Sequence, residues 1–301
     1  MRISNAQTTA LMQANMNRNS LAIGKLQAQI GSGLRIQMPS DDPIASTRLM
    51  RIEREQASLN QYNLNIDRLS ESLSVQETHL KSGSEAMLSI RDLLLWASND
   101  TSSGEDLSAI ASEISSLEQS VLSYFNANDE SGNYLFSGTR TDKPAVTFDP
   151  AAGTYSVTGN DQQRQAVVGN GVLIDDNVTA KDILGADADL LNDLHSLVES
   201  LKTAPNDPAT RSQLEKTLAQ LDKTHGRVMG AVTDLGGRQN TLSLLGNSNE
   251  EVSLANQKVK GDLSQLDLGS AFLQVSGYEL ALQASQKVYS RAASISLFDL
   301  M

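Results

Sequence analysis

Residues 52–96 decide the fold of this chain, and they read IEREQASLNQYNLNIDRLSESLSVQETHLKSGSEAMLSIRDLLLW. An apolar side chain stands at every seventh position of this stretch, and neither proline nor glycine interrupts residues 44–82. Because a repeat of seven keeps its side chains along one face of a helix, the pattern predicts a coiled-coil helix. Its seam consists of Ile52, Leu59, Ile66, Leu73, Leu80, Met87 and Leu94.

The start of this helix is marked by the two residues that precede the repeat. Asp42 is a favourable N-cap, and Pro43 suits the first helical position, where its missing N–H has no partner to lose. The distance from Pro43 to Trp96 corresponds to about 80 Å of helix at a rise of about 1.5 Å per residue. Such a length is typical of a coiled coil rather than of a globular domain.

A second long seam lies in the C-terminal third of the chain. After Pro208 the apolar residues Val228, Leu235 and Leu242 are seven apart, and the repeat then continues after a shift of three residues. A shift of three locally overwinds a coiled coil. The shifted seam consists of Leu245, Val252, Val259, Leu266, Leu273 and Leu280.

The end of that element carries another apolar stripe, two residues out of phase with the seam. Two stripes need two burial surfaces, so we expect the terminal helix to pack between neighbours rather than against one partner. The second stripe consists of Leu268, Val275, Leu282 and Tyr289.

Shorter elements lie between the two seams. Apolar steps of three and four predict helices over 107–121 and 190–201, and Pro205 ends the second. Short runs that favour strands occupy the region between them, separated by turn sequences such as Gly169-Asn170-Gly171. These runs are Tyr134–Phe136, Ala145–Phe148, Thr154–Val157 and Ala166–Val168.

The sequence therefore predicts a mainly α fold: a long antiparallel coiled-coil or helical-bundle rod formed by the N- and C-terminal halves, with a small β-rich insert. The two seams must cover each other, because little else in the chain is available to cover them. We expect three domains. They are a terminal assembly domain of 1–42 with 260–301, a helical bundle of 43–131 with 181–259, and a β-rich outer insert of 132–180.

Composition and charge exclude several classes of function. The 301 residues include no cysteine, which removes disulfides, thiolate catalysis and Cys-ligated metals. The net charge of −12 divides into +3 over residues 1–60, −15 over 61–251 and 0 over 252–301. An acidic chain argues against a nucleic-acid partner. No apolar run reaches the roughly 18 residues of a membrane span, and the first residues lack the apolar core of a secretory signal peptide.

Residue types that carry catalysis are present, but not in catalytic patterns. The histidines, His79, His195 and His225, lack metal-ligand spacing and are expected to be ordinary helix residues. Asp41 and Asp42 adjoin a predicted helix N-terminus, which favours anions without any metal. The sequence therefore predicts neither an enzyme nor a cofactor.

Strings near both ends of the chain form recognisable motifs. The first runs from Ile30 to Ile36 and continues as Pro39-Ser40-Asp41-Asp42-Pro43; others are Tyr134–Thr139 and Leu280–Ser285. They resemble the flagellin superfamily and, within it, the hook-associated protein 3 branch. The resemblance covers about residues 1–140 and 225–301. Its N-terminal motif corresponds to Arg35, Ile36, Pro39, Ser40, Asp41, Asp42 and Pro43.

The resemblance implies a rod of concentric layers, with terminal segments that are disordered in the monomer and form the inner tube. It also implies a structural adaptor that joins the bacterial flagellar hook to the filament, as a ring of subunits assembled by coupled folding of the terminal helices. The implied partners are copies of the chain itself, a neighbouring hook-associated junction protein, flagellin, the flagellar type III export apparatus and an export chaperone. The implied location is extracellular, after export without a cleaved signal peptide.

Two other functions remain open from the sequence. A filament flagellin with a reduced outer region shares the terminal motifs. A secreted coiled-coil binding module, which would bind a host protein or membrane through the insert, shares the seams. An enzyme is a more distant alternative.

Overall fold

The computed structural model describes residues 2–99 and 103–298, with side chains described for 7–99 and 103–291. The helices are α1 (Arg2–Ser32), α2 (Pro43–Ala97), α3 (Gly104–Phe125), α4 (Ala180–Leu184), α5 (Asp189–Thr203), α6 (Pro208–Ser264) and α7 (Leu268–Phe298). The strands are β1 (Val146–Asp149), β2 (Thr154–Val157), β3 (Gln165–Gly169) and β4 (Val172–Asp175). The prediction of a mainly α fold with a small β part is confirmed.

The chain divides into two compact units. Unit 1 contains the chain up to Ser58 and the chain from Glu250 onward, and unit 2 is Leu59–Asn249. Helices α2 and α6 each contribute residues to both units. The three predicted domains have different boundaries from these two units and stay a prediction.

Within unit 2, α2 and α6 run antiparallel, as the two seams predict. Polar contacts join Asn63 to Asn249, Glu77 to Gln239, Ser84 to His225 and Arg91 to Asp222. The residue number of the contact on α6 falls as the residue number on α2 rises, as it must when two helices pack antiparallel. The six seam residues from Leu59 to Leu94 are buried, as are Val228, Leu235 and Leu242 of α6. Each such side chain contributes roughly 1.5–3 kcal/mol on burial.

Helices α3 and α5 complete the helical part of unit 2 by packing on each other. Ser103 caps α3 in a capping box, in which its hydroxyl accepts from the Asp106 N–H while the Asp106 carboxylate accepts from the Ser103 N–H. The inward face of α5 is formed by Leu190, Leu191, Leu194, Leu197, Val198 and Leu201, all buried.

The strands form two separate antiparallel hairpins, β1–β2 and β3–β4. The outer edges of the first hairpin are occupied by side-chain amides from the helices. Asn126, at the end of α3, accepts from the Val146 N–H at 3.0 Å and donates to the Val146 carbonyl at 2.8 Å. Asn192 of α5 accepts from the Tyr155 N–H at 2.7 Å and donates to the Tyr155 carbonyl at 2.9 Å. Each amide therefore takes the place of a neighbouring strand.

A third amide joins α2 to the segment that follows β4. Gln76 accepts from the Val178 N–H at 3.1 Å and donates to the Asp176 carbonyl at 2.7 Å, and its side chain is fully buried. Next to it, Thr179 caps α4 by accepting from the Asp182 N–H. Gln76 holds the second hairpin on the helices together with Asn65 of α2, which donates to the Val167 carbonyl at 2.7 Å, and Arg238 of α6, which donates to the Asp175 carbonyl at 2.9 Å.

Two details of the β part differ from the sequence prediction. Tyr134–Phe136 forms no strand; Tyr134 makes one isolated bridge with Asn128, while Phe136 is buried edge-on against Phe125 at 5.9 Å. Strand β4 was not marked by the apolar runs. It forms because the Gly169-Asn170-Gly171 turn brings residues 172–175 back beside β3.

In unit 1, α1 packs against α7, and the last long element is not continuous. It breaks at residues 265–267, inside the predicted shifted seam. The cause is a short bridge between Leu34 and Gln265, in which the Leu266 N–H donates to the Gly33 carbonyl at 3.0 Å. A backbone that bonds to another segment in this way cannot also continue its own helical ladder.

We predict that Gln76→Glu lowers the free energy of unfolding of the chain by about 3 kcal/mol, because it buries a carboxylate against the Asp176 carbonyl and removes the donor. Gln119→Glu, on the exposed face of α3, makes the same chemical change without burial and is the control. Urea unfolding of both variants checks this; equal stability of the two variants would contradict it.

Candidate assembly site

The N-terminal motif begins where α1 ends. Gly33 has φ +72°, a left-handed conformation that favours glycine, and its N–H donates to the Gln29 carbonyl at 2.8 Å. The same residue supplies the carbonyl that receives the Leu266 N–H. One glycine therefore ends α1 and fixes the break between α6 and α7.

Arg35 joins three segments of unit 1. Its guanidinium donates to the Leu263 carbonyl at 2.9 Å and to the Asp42 carboxylate at 3.3 Å. Its backbone N–H donates to the Ser264 carbonyl at 2.7 Å, and its carbonyl accepts from Gln29 Nε2. The planar, forked donors of arginine suit a site with acceptors in different directions.

Asp42 is the N-cap of α2, as predicted. Its Oδ1 accepts from the Ala45 N–H at 3.0 Å, and its Oδ2 accepts from Arg35. The Ala45 N–H, followed by the Arg35 guanidinium, holds the pKa of this carboxyl below its usual range. Its charge serves the helix start and the arginine.

Asp41 closes the turn that precedes the cap. Its Oδ2 accepts from the N–H groups of Gln37 and Met38 at 3.1 and 3.0 Å, and its Oδ1 accepts from Lys25 Nζ at 2.8 Å. The hydrogen bond from Lys25, followed by those two N–H groups, lowers the pKa of Asp41 from 3.8 to about 2. The turn is therefore held by this group above pH 3.8, and the contribution is lost as the pH falls toward about 2.

The other motif residues have simpler positions. Ile36 is buried, Pro39 and Ser40 lie exposed in the turn, and Pro43 is the first residue of α2. The structure thus brings Arg35, Asp41 and Asp42 together as one hydrogen-bonded turn. Lys25 and Gln29, which complete it from α1, were not singled out in the sequence, because a single lysine or glutamine on a helix carries no local signal.

The shifted C-terminal seam is not buried as one stripe. Leu245 is half-buried in unit 2, Val252 and Val259 are exposed on α6, and Leu266 is half-buried in the break. On α7, Leu273 is 77% exposed and Leu280 is 67% exposed. In the N-terminal seam, Ile52 lies half-buried in unit 1.

The second stripe of α7 is the one that is covered. Val275, Leu282 and Tyr289 of the expected stripe are half-buried on the helix that packs with α1, whereas Leu268 is exposed; Ala271, outside the stripe, is buried. The face that carries Leu273 and Leu280 is consequently left open. The predicted terminal segment also includes residues 1 and 299–301, which lie outside the described residues, as do the side chains of 292–298.

The second motif, Tyr134–Thr139, is held by a close backbone approach. Gly138 has φ +74°, and a Cβ there would meet the Asn160 carbonyl oxygen at 2.6 Å and the Asn160 side chain still closer. The Asn160 Oδ1 accepts from the Thr139 N–H at 2.9 Å, and Ser137 Oγ donates to the Lys143 carbonyl at 2.6 Å. The motif therefore holds this loop of unit 2 in one conformation.

An open cleft of about 630 Å³ lies between α2 and the β3–β4 hairpin, where the Arg164 and Asp176 side chains are already paired at 3.1 Å. Residues 2–99 and 103–298 contain no cluster of three potential metal ligands. Within those same ranges, no helix has the length and hydropathy to cross a membrane.

Comparison with known proteins identifies the family. The bacterial flagellin N-terminal helical region matches residues 3–141. Flagellar hook-associated protein 3 of Salmonella typhimurium is 27% identical over 317 residues, which cover 100% of this chain and 99% of that protein. A solved structure described as a flagellar hook-associated protein of Vibrio parahaemolyticus is 39% identical, covers 75% of this chain and 100% of its own, and has a TM-score of 0.69. The chain belongs to the hook-associated protein 3 branch of the flagellin superfamily.

Among the relatives compared, a flagellin matches this chain more weakly than hook-associated protein 3 does. Flagellin FlaB1 of Treponema pallidum is 22% identical over 241 residues, or 80% of this chain. The hydrogen-bonded turn at residues 33–42 lies inside residues 3–141, which match the bacterial flagellin N-terminal helical region.

We predict that Gly138→Ala destabilises the chain by about 3 kcal/mol, the sum of a left-handed alanine and a backbone clash. Gly153→Ala is the matched control, because Gly153 also has positive φ but has nothing within 4 Å of its added Cβ. We expect it to lose about 1 kcal/mol. Thermal or urea unfolding measures the difference, and equal losses would show that the approach to Asn160 is not tight.

Proposed function

We propose that this protein is a structural adaptor of the bacterial flagellum, joining the hook to the filament as a ring of subunits. The observation that carries the proposal is the end-to-end match with a hook-associated protein 3, which spans 99% of that protein. The flagellin match is shorter and of lower identity, so a filament flagellin is the weaker alternative. We further propose that the protein is not an enzyme and takes no cofactor.

The mechanism we propose is coupled folding and assembly. Leu273 and Leu280 lie on the open face of α7, while α1 packs with the same helix. A helix depends on tertiary packing for most of its stability, so a half-covered terminal helix gains order when a neighbour covers its open face. The near-neutral ends, +3 and 0, lower the repulsion between subunits compared with the −15 of the middle.

Within this mechanism the three predicted domains have separate tasks. Residues 1–42 with 260–301 form the assembly domain, disordered in the monomer and ordered in the inner layer of the ring. Residues 43–131 with 181–259 form the helical bundle, and 132–180 form the outer insert. The acidic middle of the chain is then the part that faces solvent.

The partners follow from the same proposal. They are other copies of this chain, a neighbouring hook-associated junction protein and flagellin. We propose an extracellular location on the flagellum, reached through the flagellar type III export apparatus with an export chaperone and without a cleaved signal peptide. No nucleic acid or membrane is a partner.

Replacing the two open leucines tests the function directly. We predict that a strain lacking the gene keeps its hooks and sheds flagellin into the medium, and that Leu273→Ser/Leu280→Ser fails to restore swimming. Leu244→Ser, an exposed leucine of α6, should restore it. Swimming assays and electron microscopy of hook–filament junctions give the result, with export of each variant checked in the medium.

The alternatives predict other outcomes. If the deletion strain has normal hook–filament junctions, the adaptor function is excluded. If its hooks still carry the junction proteins at their tips but no filament is present, the chain is a flagellin. Unimpaired swimming together with lost binding to a host protein or membrane would identify a secreted binding module.

We predict that the free chain is a monomer with rapid amide exchange over residues 1–42 and 260–301. The reason is that the open face of α7 has no neighbour in the monomer, while the seam of unit 2 is covered within the chain. Hydrogen–deuterium exchange measured by mass spectrometry, with sedimentation to verify the monomer, provides the test. Strong protection of both terminal segments in a monomer would refute coupled folding.

A further inference from the structure

Glu118 occupies a position in α3 that an apolar residue would be expected to fill. It lies on the inward face with Ile114, Val121 and Phe125, and it is only 2% exposed. Among the described residues, neither of its carboxylate oxygens makes a hydrogen bond of good geometry, although the Tyr155 hydroxyl lies close enough to favour the charged carboxylate. A buried carboxylate without a counter-charge is strongly unfavourable when it is charged. The structure therefore contains an acid that needs either a proton or a cation.

His195 of α5 is close enough to supply Glu118 with a proton or a positive charge. Its Nδ1 lies 3.5 Å from Glu118 Oε1, and its ring is about one-third exposed. Histidine is the side chain whose charge ordinarily changes between about pH 5 and 8. Further along α5, Lys202 also favours the charged carboxylate, but its Nζ is engaged with Glu199 at 3.5 Å.

The β1–β2 hairpin lies against this pair. The ring of Phe148 is 5.1 Å from the His195 ring and 4.8 Å from the Tyr155 ring, and Tyr155 is buried beside Glu118. Tyr155 is the titratable group that β2 brings to the carboxylate, and burial with the neighbouring Glu118 raises the pKa of its hydroxyl. The hydroxyl therefore stays protonated and favours the charged form of Glu118 through a hydrogen bond, but Tyr155 supplies no positive charge that could balance the carboxylate.

We propose that Glu118 and His195 form a proton-dependent clasp, which holds the β1–β2 hairpin against α3 and α5 while the pair shares one proton. With that proton on either residue, the buried site is a neutral pair or an ion pair, and the hairpin docks. When the proton leaves, a buried carboxylate without a counter-charge remains beneath Phe148 and Tyr155, stabilised only by the Tyr155 hydroxyl. Docking then weakens, although Asn126 and Asn192 still hold the strand edges.

The direction of the pH dependence follows from burial. Burial raises the pKa of Glu118 above its ordinary value of 4.5, while Tyr155 and His195 oppose that rise. A raised pKa in the folded state gives stability that is present below the ordinary value and is lost as the pH rises through the folded value. The hairpin should therefore open toward alkaline pH, whereas carboxylates paired in the native state lose stability toward acid.

Amide exchange of the full chain tests the clasp. We expect the protection of the β1–β2 amides, corrected for intrinsic exchange and divided by that of the β3–β4 amides, to fall at least about tenfold between about pH 5.5 and pH 8.5. Glu118→Gln keeps the shape but cannot carry charge, so its ratio should not change with pH. Glu113→Gln, on the exposed face of the same helix, should behave like the unchanged protein.

His195→Gln provides the second variant. Without the imidazole only Glu118 can hold the proton, so the fall in protection should move to lower pH. A flat ratio in the unchanged protein, or a pH dependence that survives in Glu118→Gln, would overturn the clasp. If Glu118→Gln does not fold, the His195→Gln curve decides, and an unshifted curve overturns the proposal. None of these outcomes depends on the protein's role at the hook.

Discussion

The rest of the structure depends on covering the seven-residue seam of α2. No nearby segment can cover a stripe that runs along a helix of 55 residues, so its partner comes from α6, more than 100 residues later in the sequence. This pairing contributes on the order of 10 kcal/mol from the buried seam residues of α2 alone, an upper estimate because the unfolded chain also buries some apolar surface. It also forces everything between the two helices to be an insertion, so that both chain ends fall in unit 1.

Unit 1 follows a different principle from unit 2. Its turn at residues 33–42 is built from backbone hydrogen bonds and from Arg35, Asp41 and Asp42, and it uses these side chains to join α1, α2 and the break before α7. The polar groups of the motif therefore bind one another and the neighbouring backbone, and they hold these segments together. On the open face of α7, by contrast, the side chains of Leu273 and Leu280 are exposed and are not covered by the described parts of the chain. The motif thus serves the folding of the unit, and the exposed apolar surface of α7 lies elsewhere.

The parts that could be predicted from sequence are those with a local cause. The α2 seam repeats within one helix, and the Asp42 cap is adjacent to the Pro43 start that it serves. The amides of Gln76 and Asn126 left no such signal, because each binds backbone groups that come near only after the fold is complete. Which stripe of α7 is covered depends on α1, whose pattern is weak. Glu118 did leave a signal, since a glutamate at an inward helical position, four residues after Ile114, interrupts an otherwise apolar face.

The side-chain amides of Asn126 and Asn192 cover strand edges of the first hairpin, whereas the face of α7 with Leu273 and Leu280 is uncovered. In a protein that we propose to assemble into a ring, many copies lie close together, and an open strand edge would be free to pair with the same edge of a neighbour. Asn126 and Asn192 satisfy the outward N–H and carbonyl of Val146 and Tyr155 on the two sides of the first hairpin. Edge pairing between copies would first have to break these bonds. Association through the open leucines of α7 would break no such bonds, so the structure favours the proposed assembly through the helices over edge pairing by the first hairpin.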